Sequence, residues 1–103
     1  MGTLRKLTEP PAVSFDIPEA EFSEPVRVQG GQKRTCGNAV RVSSANRYKL
    51  FTEAKDYIRI LSGEGRFKWA RGETPFSAGD FFLADGIGEY ELNGACEFIA
   101  VRT

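Results

Sequence analysis

The chain has 103 residues, enough for one domain with a modest hydrophobic core and too few for two domains. Fourteen Lys and Arg residues balance fourteen Asp and Glu residues, so the basic character expected of a nucleic-acid-binding protein is absent. The sequence contains no histidine, which excludes catalytic sites that need an imidazole base and metal sites that need an imidazole ligand.

Residues 1–25 are predicted to form an extended arm that packs along the edge of a sheet. Four of the five prolines lie in this segment, which argues against a long helix. Val13, Phe15 and Ile17 alternate with polar residues, the period of a half-buried strand. The segment has no long apolar run, so we expect neither a signal peptide nor a membrane span, and we expect a cytoplasmic protein.

Residues 26–103 are predicted to form one all-β domain. Its turns include the segment from Ser62 to Gly65 and the pair Asn93-Gly94, and the latter predicts a two-residue hairpin. Seven to nine short strands with glycine-rich turns are typical of a β-sandwich or β-barrel. The clearest predicted strands are Ala39–Ser43, Tyr48–Phe51, Tyr57–Leu61, Arg66–Trp69, Phe81–Ala84, Glu89–Leu92 and Glu97–Val101.

The two cysteines follow no metal-binding or redox spacing. Cys36 and Cys96 lie far apart in the sequence, and neither belongs to a C-x-x-C pair. We expect two reduced thiols, with Cys96 buried as a small apolar side chain.

The order of strands and turns between residues 47 and 102 resembles the cupin superfamily. The resemblance is carried by Tyr57–Gly65, then Ala78–Ala84, then Gly88–Tyr90, which match the two glycine-containing turns of the cupin core and the strands beside them. The chain is most similar to the small cupins related to the C-terminal part of phosphomannose isomerases. The resemblance implies a double-stranded β-helix, the cupin jelly roll, preceded by the extended N-terminal arm.

The first metal-binding motif of cupins contains two histidines and a glutamate, and this sequence has other residues at those positions. Counting back from the turn that follows the first matched strand places Asp56 at the glutamate position. Lys49 and Phe51 stand at the histidine positions, or Leu50 and Thr52 if the gap is one residue shorter.

The second motif contributes a third histidine, and here that position is occupied by Tyr90. All three imidazole ligands are therefore missing. The resemblance implies the fold of the family without its metal, and we expect no cofactor.

The inferred function is that of a metal-free binding protein for a small polar ligand, with a carbohydrate as one candidate. The predicted ligand-binding residues are Lys49, Phe51, Asp56 and Tyr90, because the resemblance to cupins implies that they lie in or near the mouth of the barrel. We expect no nucleic-acid or membrane partner. We do expect a homodimer formed through β-sheet contacts to which the N-terminal arm contributes.

Two alternatives belong to other functional classes. One is a sugar isomerase or epimerase that uses Asp56 as a base and Tyr90 or Lys49 as an acid. The other is a structural oligomerisation module whose barrel is filled by side chains. An open polar cavity beside Asp56 and Tyr90 would argue against the structural module.

Overall fold

The computed structural model describes residues 2–103, which form ten β-strands and one short 3-10 turn at Glu19–Glu21. Every strand pairing is antiparallel, and the described residues contain no α-helix, so the predicted all-β class is confirmed. None of these residues belongs to a helix long and apolar enough to cross a membrane. The strands are β1 (Thr3–Leu7), β2 (Val26–Val28), β3 (Gly31–Cys36), β4 (Ala39–Ser44), β5 (Arg47–Thr52), β6 (Lys55–Trp69), β7 (Gly72–Ser77), β8 (Phe81–Asp85), β9 (Gly88–Asn93) and β10 (Cys96–Arg102).

The strands form two sheets that share the long strand β6. Sheet A has the order β1-β8-β6-β10-β4-β3-β2, and sheet B has the order β5-β9-β6-β7. The first part of β6 pairs with β8 and β10, and its last part pairs with β7 and β9. The register with β10 shifts between Glu97 and Phe98, as at a β-bulge, and such an irregularity helps a strand bend from one sheet into the next.

Alternate side chains of both sheets point inward and form the barrel core. The core is densest around Phe67, whose ring centroid lies 4.6 Å from that of Phe82 and 5.2 Å from that of Phe76. Phe81, the neighbour of Phe82, points to the opposite side of sheet A, as strand alternation requires. Core residues that are at most 1% exposed include Val42, Ile58, Ile60, Phe67, Phe82, Ala84, Tyr90, Leu92 and Phe98.

The N-terminal segment folds back on its own barrel. Strand β1 pairs with β8, and Leu4 enters the barrel core. Phe15 and Phe22 are buried on the outer face of sheet A, where the Phe15 ring lies 5.6 Å from the ring of Phe81. The strand predicted through Val13, Phe15 and Ile17 is wrong, because this proline-flanked stretch forms no ladder and anchors through its side chains instead. The division into an arm and a domain at residues 25 and 26 stays a prediction.

The predicted turn from Ser62 to Gly65 is wrong. These residues lie inside β6, which runs without a break from Lys55 to Trp69. Its glycines permit a close crossing of backbones: a Cβ atom on Gly65 would overlap the carbonyl oxygen of Asn93.

The predicted Asn93-Gly94 hairpin is also wrong. The two strands that flank this pair do not face each other, because β9 pairs with β5 and β6 whereas β10 pairs with β4 and β6. The link instead carries the chain from sheet B to sheet A. Gly94 has a φ of 123°, which favours glycine, and its N–H donates to the carbonyl oxygen of Asn46 at 2.6 Å.

Candidate functional site

Strand β5 places the residues predicted at the first two histidine positions. Tyr48 and Thr52 are buried and face the interior with Leu50, whereas Lys49 and Phe51 are exposed and face outward. The Lys49 ammonium lies 3.7 Å from the Glu89 carboxylate on that outer face. The structure therefore favours the shorter gap, with Leu50 and Thr52 directed inward. Both Lys49 and Phe51 still border the open end of the barrel, and their contact with a ligand stays a prediction.

Asp56 is the centre of a buried hydrogen-bond network at that open end. It lies near the start of β6 and is 1% exposed. Its Oδ1 accepts hydrogen bonds from Thr52 Oγ1 at 3.1 Å and from Arg102 Nε at 2.8 Å. Its Oδ2 accepts hydrogen bonds from the Tyr90 hydroxyl at 2.8 Å and from Arg102 Nη2 at 3.1 Å. Asp56 and Tyr90, both predicted at the mouth of the barrel, are thus hydrogen-bonded to each other.

The network fixes the protonation state of Tyr90. Burial, together with the neighbouring Asp56 carboxylate, raises the pKa of the Tyr90 hydroxyl well above its ordinary value. The phenol therefore keeps its proton at neutral pH and acts as a hydrogen-bond donor. Because a carboxylate has about four acceptor positions, the four donors around Asp56 leave it no free acceptor for a substrate proton.

Arg102 is the functional residue that sequence reasoning missed. It lies at the end of β10, opposite Asp56 in the β6–β10 register, and extends the inward alternation of Phe98 and Ala100. That alternation is the signal that could have identified it. Its Nη2 also donates to the carbonyl oxygen of Phe51 at 2.7 Å, and its side chain is 49% exposed. Arg102 therefore connects the buried carboxylate to the solvent side of the barrel.

A cavity of about 490 Å³ occupies the open end of the barrel beside this network. Tyr90 is buried behind Asp56 and is not among the residues that line this cavity, so its contact with a ligand stays a prediction. The apolar lining of the cavity includes Val28, Val40, Leu50 and Ala100. The polar lining includes Gln29, Lys33, Thr35, Asn38, Asp56 and Arg102.

Gln29 closes one side of the cavity. Its φ of 53° is unusual for a residue with a side chain, and this conformation is held by two hydrogen bonds to the backbone of Lys49. Gln29 Nε2 donates to the Lys49 carbonyl oxygen at 2.9 Å, and the Lys49 N–H donates to Gln29 Oε1 at 2.8 Å. The turn between β2 and β3 of sheet A is thereby tied to β5 of sheet B.

Residues that could hold a metal are not brought together in the described part of the chain. Across residues 2–103, no three side chains of the types His, Cys, Asp and Glu form a group suited to a metal ion. Cys36 and Cys96 are both free thiols in the structure. Burial raises the pKa of the Cys96 thiol to about 11, so it is protonated at neutral pH.

Comparisons with known proteins establish the fold. No protein-family model matches the chain, and no curated protein matches it. The nucleoside dehydratase Pac13 of Streptomyces is similar in structure: it is 19% identical, with 88% of this chain and 82% of that chain covered and a TM-score of 0.69. A Pac13 variant with uridine gives a TM-score of 0.70 over the same shares of the two chains.

Two other solved structures are similar to the chain. The mannose 6-phosphate isomerase of Bacillus subtilis is 15% identical, with 77% of this chain and 27% of that chain covered and a TM-score of 0.61. A protein of unknown function from Acinetobacter sp. ADP1 is 15% identical, with 87% and 98% covered and a TM-score of 0.63. At these identities the likeness shows the fold alone. The chain has an all-β, cupin-like barrel fold, as the sequence predicts.

Proposed function

We propose that this protein binds a small polar molecule, without a metal, in the cavity at the open end of its barrel. The observation that carries the proposal is the cavity of about 490 Å³ whose wall contains the Asp56 and Arg102 side chains. Ligand sites are typically concave and mostly apolar, and a few fixed polar groups within them set the orientation of the ligand.

The distribution of side chains supports binding over a purely structural role. Phe67, Phe82 and Leu92 are fully buried in the packed part of the barrel, whereas the other end is open between Val40, Leu50 and Ala100. A module that served only for oligomerisation would gain stability from filling both ends, because an unfilled volume forfeits packing contacts. The open end is therefore best explained by a ligand.

A sugar or a nucleoside is the ligand class that we propose. The partly apolar wall can receive a sugar ring or a base, and the Asn38 amide and the Thr35 hydroxyl can exchange hydrogen bonds with hydroxyl groups. Tyr48 adds an aromatic surface to the lining. The fold neighbours support this choice, since a Pac13 variant was determined with uridine and the Bacillus subtilis neighbour is a mannose 6-phosphate isomerase.

Binding is favoured over the isomerase or epimerase alternative. That alternative needs Asp56 as a base, yet Thr52, Tyr90 and Arg102 already occupy its acceptor positions. It also needs Tyr90 or Lys49 as an acid. The raised pKa makes Tyr90 a poor proton donor, and the Lys49 ammonium is directed toward Glu89 outside the barrel.

We also propose that two copies of the chain pair through their sheets. Among residues 2–103, strands β2 and β5 each pair with a neighbouring strand on one side only. They carry the exposed side chains of Val26, 56% accessible, and Phe51, 58% accessible. Open edges with apolar side chains favour pairing with another strand.

A thermal-shift panel of neutral and charged sugars and nucleosides tests the binding proposal. At about ten times its Kd, a ligand should add roughly 1.4 kcal/mol of stability. That gain should raise the Tm by roughly 5–10 °C in a domain of this size. The proposal is contradicted if no compound in the panel raises the Tm.

A matched pair of variants locates the binding site. Val28→Trp places a bulky ring in the cavity lining, and Val26→Trp places the same ring on the same strand outside that lining. We expect Val28→Trp to remove the thermal shift and Val26→Trp to retain it. Equal responses of the two variants would place the ligand elsewhere.

A further inference from the structure

Two cationic side chains line the cavity with donors that the protein does not use. Nη1 of Arg102 makes no hydrogen bond to any residue between 2 and 103, although Nε and Nη2 of the same side chain are engaged. Lys33 is half-buried on β3, and no described carboxylate lies within ion-pair distance of its ammonium. Unused donors on charged groups in a cavity wall point to a charged ligand.

The charge of the lining is unbalanced. Its cations are Lys33, Lys49 and Arg102, and its only carboxylate is Asp56. Asp56 is paired with Arg102, and Lys49 is paired with Glu89 on the outer face, so Lys33 remains uncompensated. The whole chain has a formal net charge of zero, so this excess is local to the cavity. A concave site with one sign of excess charge concentrates counter-ions of the opposite sign.

The guanidinium of Arg102 is fixed in place by hydrogen bonds and still has two N–H groups available for an anion. Asp56 and the Phe51 carbonyl oxygen fix three of its five N–H groups, which leaves the two on Nη1 free. A donor already locked in place loses little side-chain entropy when a ligand binds. The Asp56 charge opposes an incoming anion, and the attraction therefore depends on Lys33 as well as on Arg102.

We infer that the ligand of this cavity carries an oxyanion, a carboxylate or a phosphate, that contacts Arg102 Nη1 and the Lys33 ammonium. The inference rests on the proposed function, since it specifies the ligand of that same site. Val40, Leu50 and Ala100 provide the apolar surface for the carbon skeleton of the ligand. The proposed ligand class is thus narrowed to a sugar or nucleoside that bears a carboxylate or a phosphate, in preference to a neutral one.

Three matched sugars test the inference on the full-length chain. Glucose, glucuronate and glucose 6-phosphate share one ring and differ only in bearing a neutral, a carboxylate or a phosphate group at C6. We expect at least one of the two anions to bind about tenfold more tightly than glucose, as measured by isothermal titration calorimetry. The preference should shrink as the salt concentration rises, because ions screen the attraction.

Two matched lysine substitutions distinguish the effect of the charge in the cavity from the effect of the overall charge of the protein. Lys33→Met removes the cavity ammonium, and Lys68→Met removes an exposed ammonium of β6 that does not line the cavity. We expect Lys33→Met to weaken the binding of the preferred anion about fivefold to tenfold more than it weakens the binding of glucose. Lys68→Met should retain the full preference for that anion.

The outcomes distinguish this inference from the proposed function. Tighter binding of glucuronate identifies a carboxylate ligand, and tighter binding of glucose 6-phosphate identifies a phosphate ester. If glucose binds as tightly as both anions, or if Lys33→Met keeps the full preference, the inference is wrong while the proposed function stands. If none of the three sugars binds, the inference fails together with the proposal of a sugar ligand.

Discussion

Replacing Tyr90 by Phe removes a single donor from the network around Asp56. The Tyr90 ring is 1% exposed and would keep its packing against Phe67, while the hydrogen bond of 2.8 Å to Asp56 Oδ2 would be lost. Hydrogen bonds to charged groups contribute about 1.5–3 kcal/mol to stability, and leaving a buried acceptor without its donor costs a similar amount. We expect Tyr90→Phe to lower the free energy of unfolding by about 2 kcal/mol.

Urea denaturation followed by the fluorescence of Trp69, the single tryptophan, measures this change. Tyr48→Phe is the matched control. Tyr48 is 4% exposed in the same barrel core, but its hydroxyl has no hydrogen-bond partner among residues 2–103. We expect Tyr48→Phe to change the free energy of unfolding by less than about 0.5 kcal/mol.

Alkaline pH provides a second readout of the buried Tyr90 hydroxyl. The pKa of Tyr90 is raised in the folded protein by burial first and by Asp56 second, so the folded state holds this proton more tightly than the unfolded state does. The corresponding stability is complete below the unfolded value near 10.0 and is lost as the pH rises through the folded value. Tyr90→Phe should therefore lose stability less steeply than the wild type above that pH.

The reasoning is refuted if Tyr90→Phe is as stable as the wild type, or if Tyr48→Phe is destabilised equally. The first result would show that the hydroxyl does not bond to Asp56 in solution. The second would show that loss of any tyrosine hydroxyl in this core has the same cost. An unchanged alkaline profile in Tyr90→Phe would contradict the assigned cause of the pKa shift.

Three further predictions concern the rest of the fold. Arg102→Met should lower the free energy of unfolding by about 2–3 kcal/mol, because it leaves the Asp56 carboxylate buried without its cation. Arg66→Met, which removes one partner of an exposed ion pair, should lower it by less than about 0.5 kcal/mol. Equal losses of the two variants in urea denaturation would contradict this. Phe15→Ala should lower the free energy of unfolding by about 3 kcal/mol because Phe15 is buried, and the same change at the exposed Phe51 should have almost no effect. If Phe15→Ala does not change the stability, the arm does not pack on the barrel. Light scattering should give about twice the chain mass of 11.4 kDa, and a monomer at micromolar concentration would exclude the homodimer.

The sequence pattern predicts the strands whose two faces differ in polarity. Glu89 and Glu91 alternate with Tyr90 and Leu92, and β9 indeed buries the second pair and directs the first outward. Strand β3 is not predicted, because Gln32, Lys33 and Arg34 are polar on both of its faces. Such a strand is recognisable only from its partners in the sheet.

Turn signals predict that the chain changes direction but not which strands then pair. Asn93-Gly94 does turn the chain, yet its flanking strands join different sheets. Gly63 and Gly65 allow backbones to cross within β6 rather than forming a turn. A single sequence does not distinguish a glycine at a close backbone crossing from a glycine in a turn, because both positions require the absence of a Cβ atom.

The candidate site was predictable in part. The resemblance to cupins implies that Asp56 and Tyr90 lie at the mouth of the barrel, and the two side chains are hydrogen-bonded. The same resemblance left the inward residues of β5 undecided between two registers, because a one-residue shift moves every side chain to the other face of a strand. Arg102 was missed because it belongs to no motif: the alternation of Phe98 and Ala100 indicates its inward face, but its position opposite Asp56 follows from the register of β10 against β6.

The central claim is that the open end of the barrel holds a small ligand, and an NMR titration of the full chain tests it most directly. The probe is the sugar or nucleoside that gives the largest thermal shift, added to uniformly ¹⁵N-labelled protein. We predict that the amide shifts concentrate at the cavity lining, at residues such as Lys33, Val40 and Ala100. Shifts confined to the outer face of sheet B around Lys68 and Glu91, or no shifts at saturating ligand, would contradict the claim.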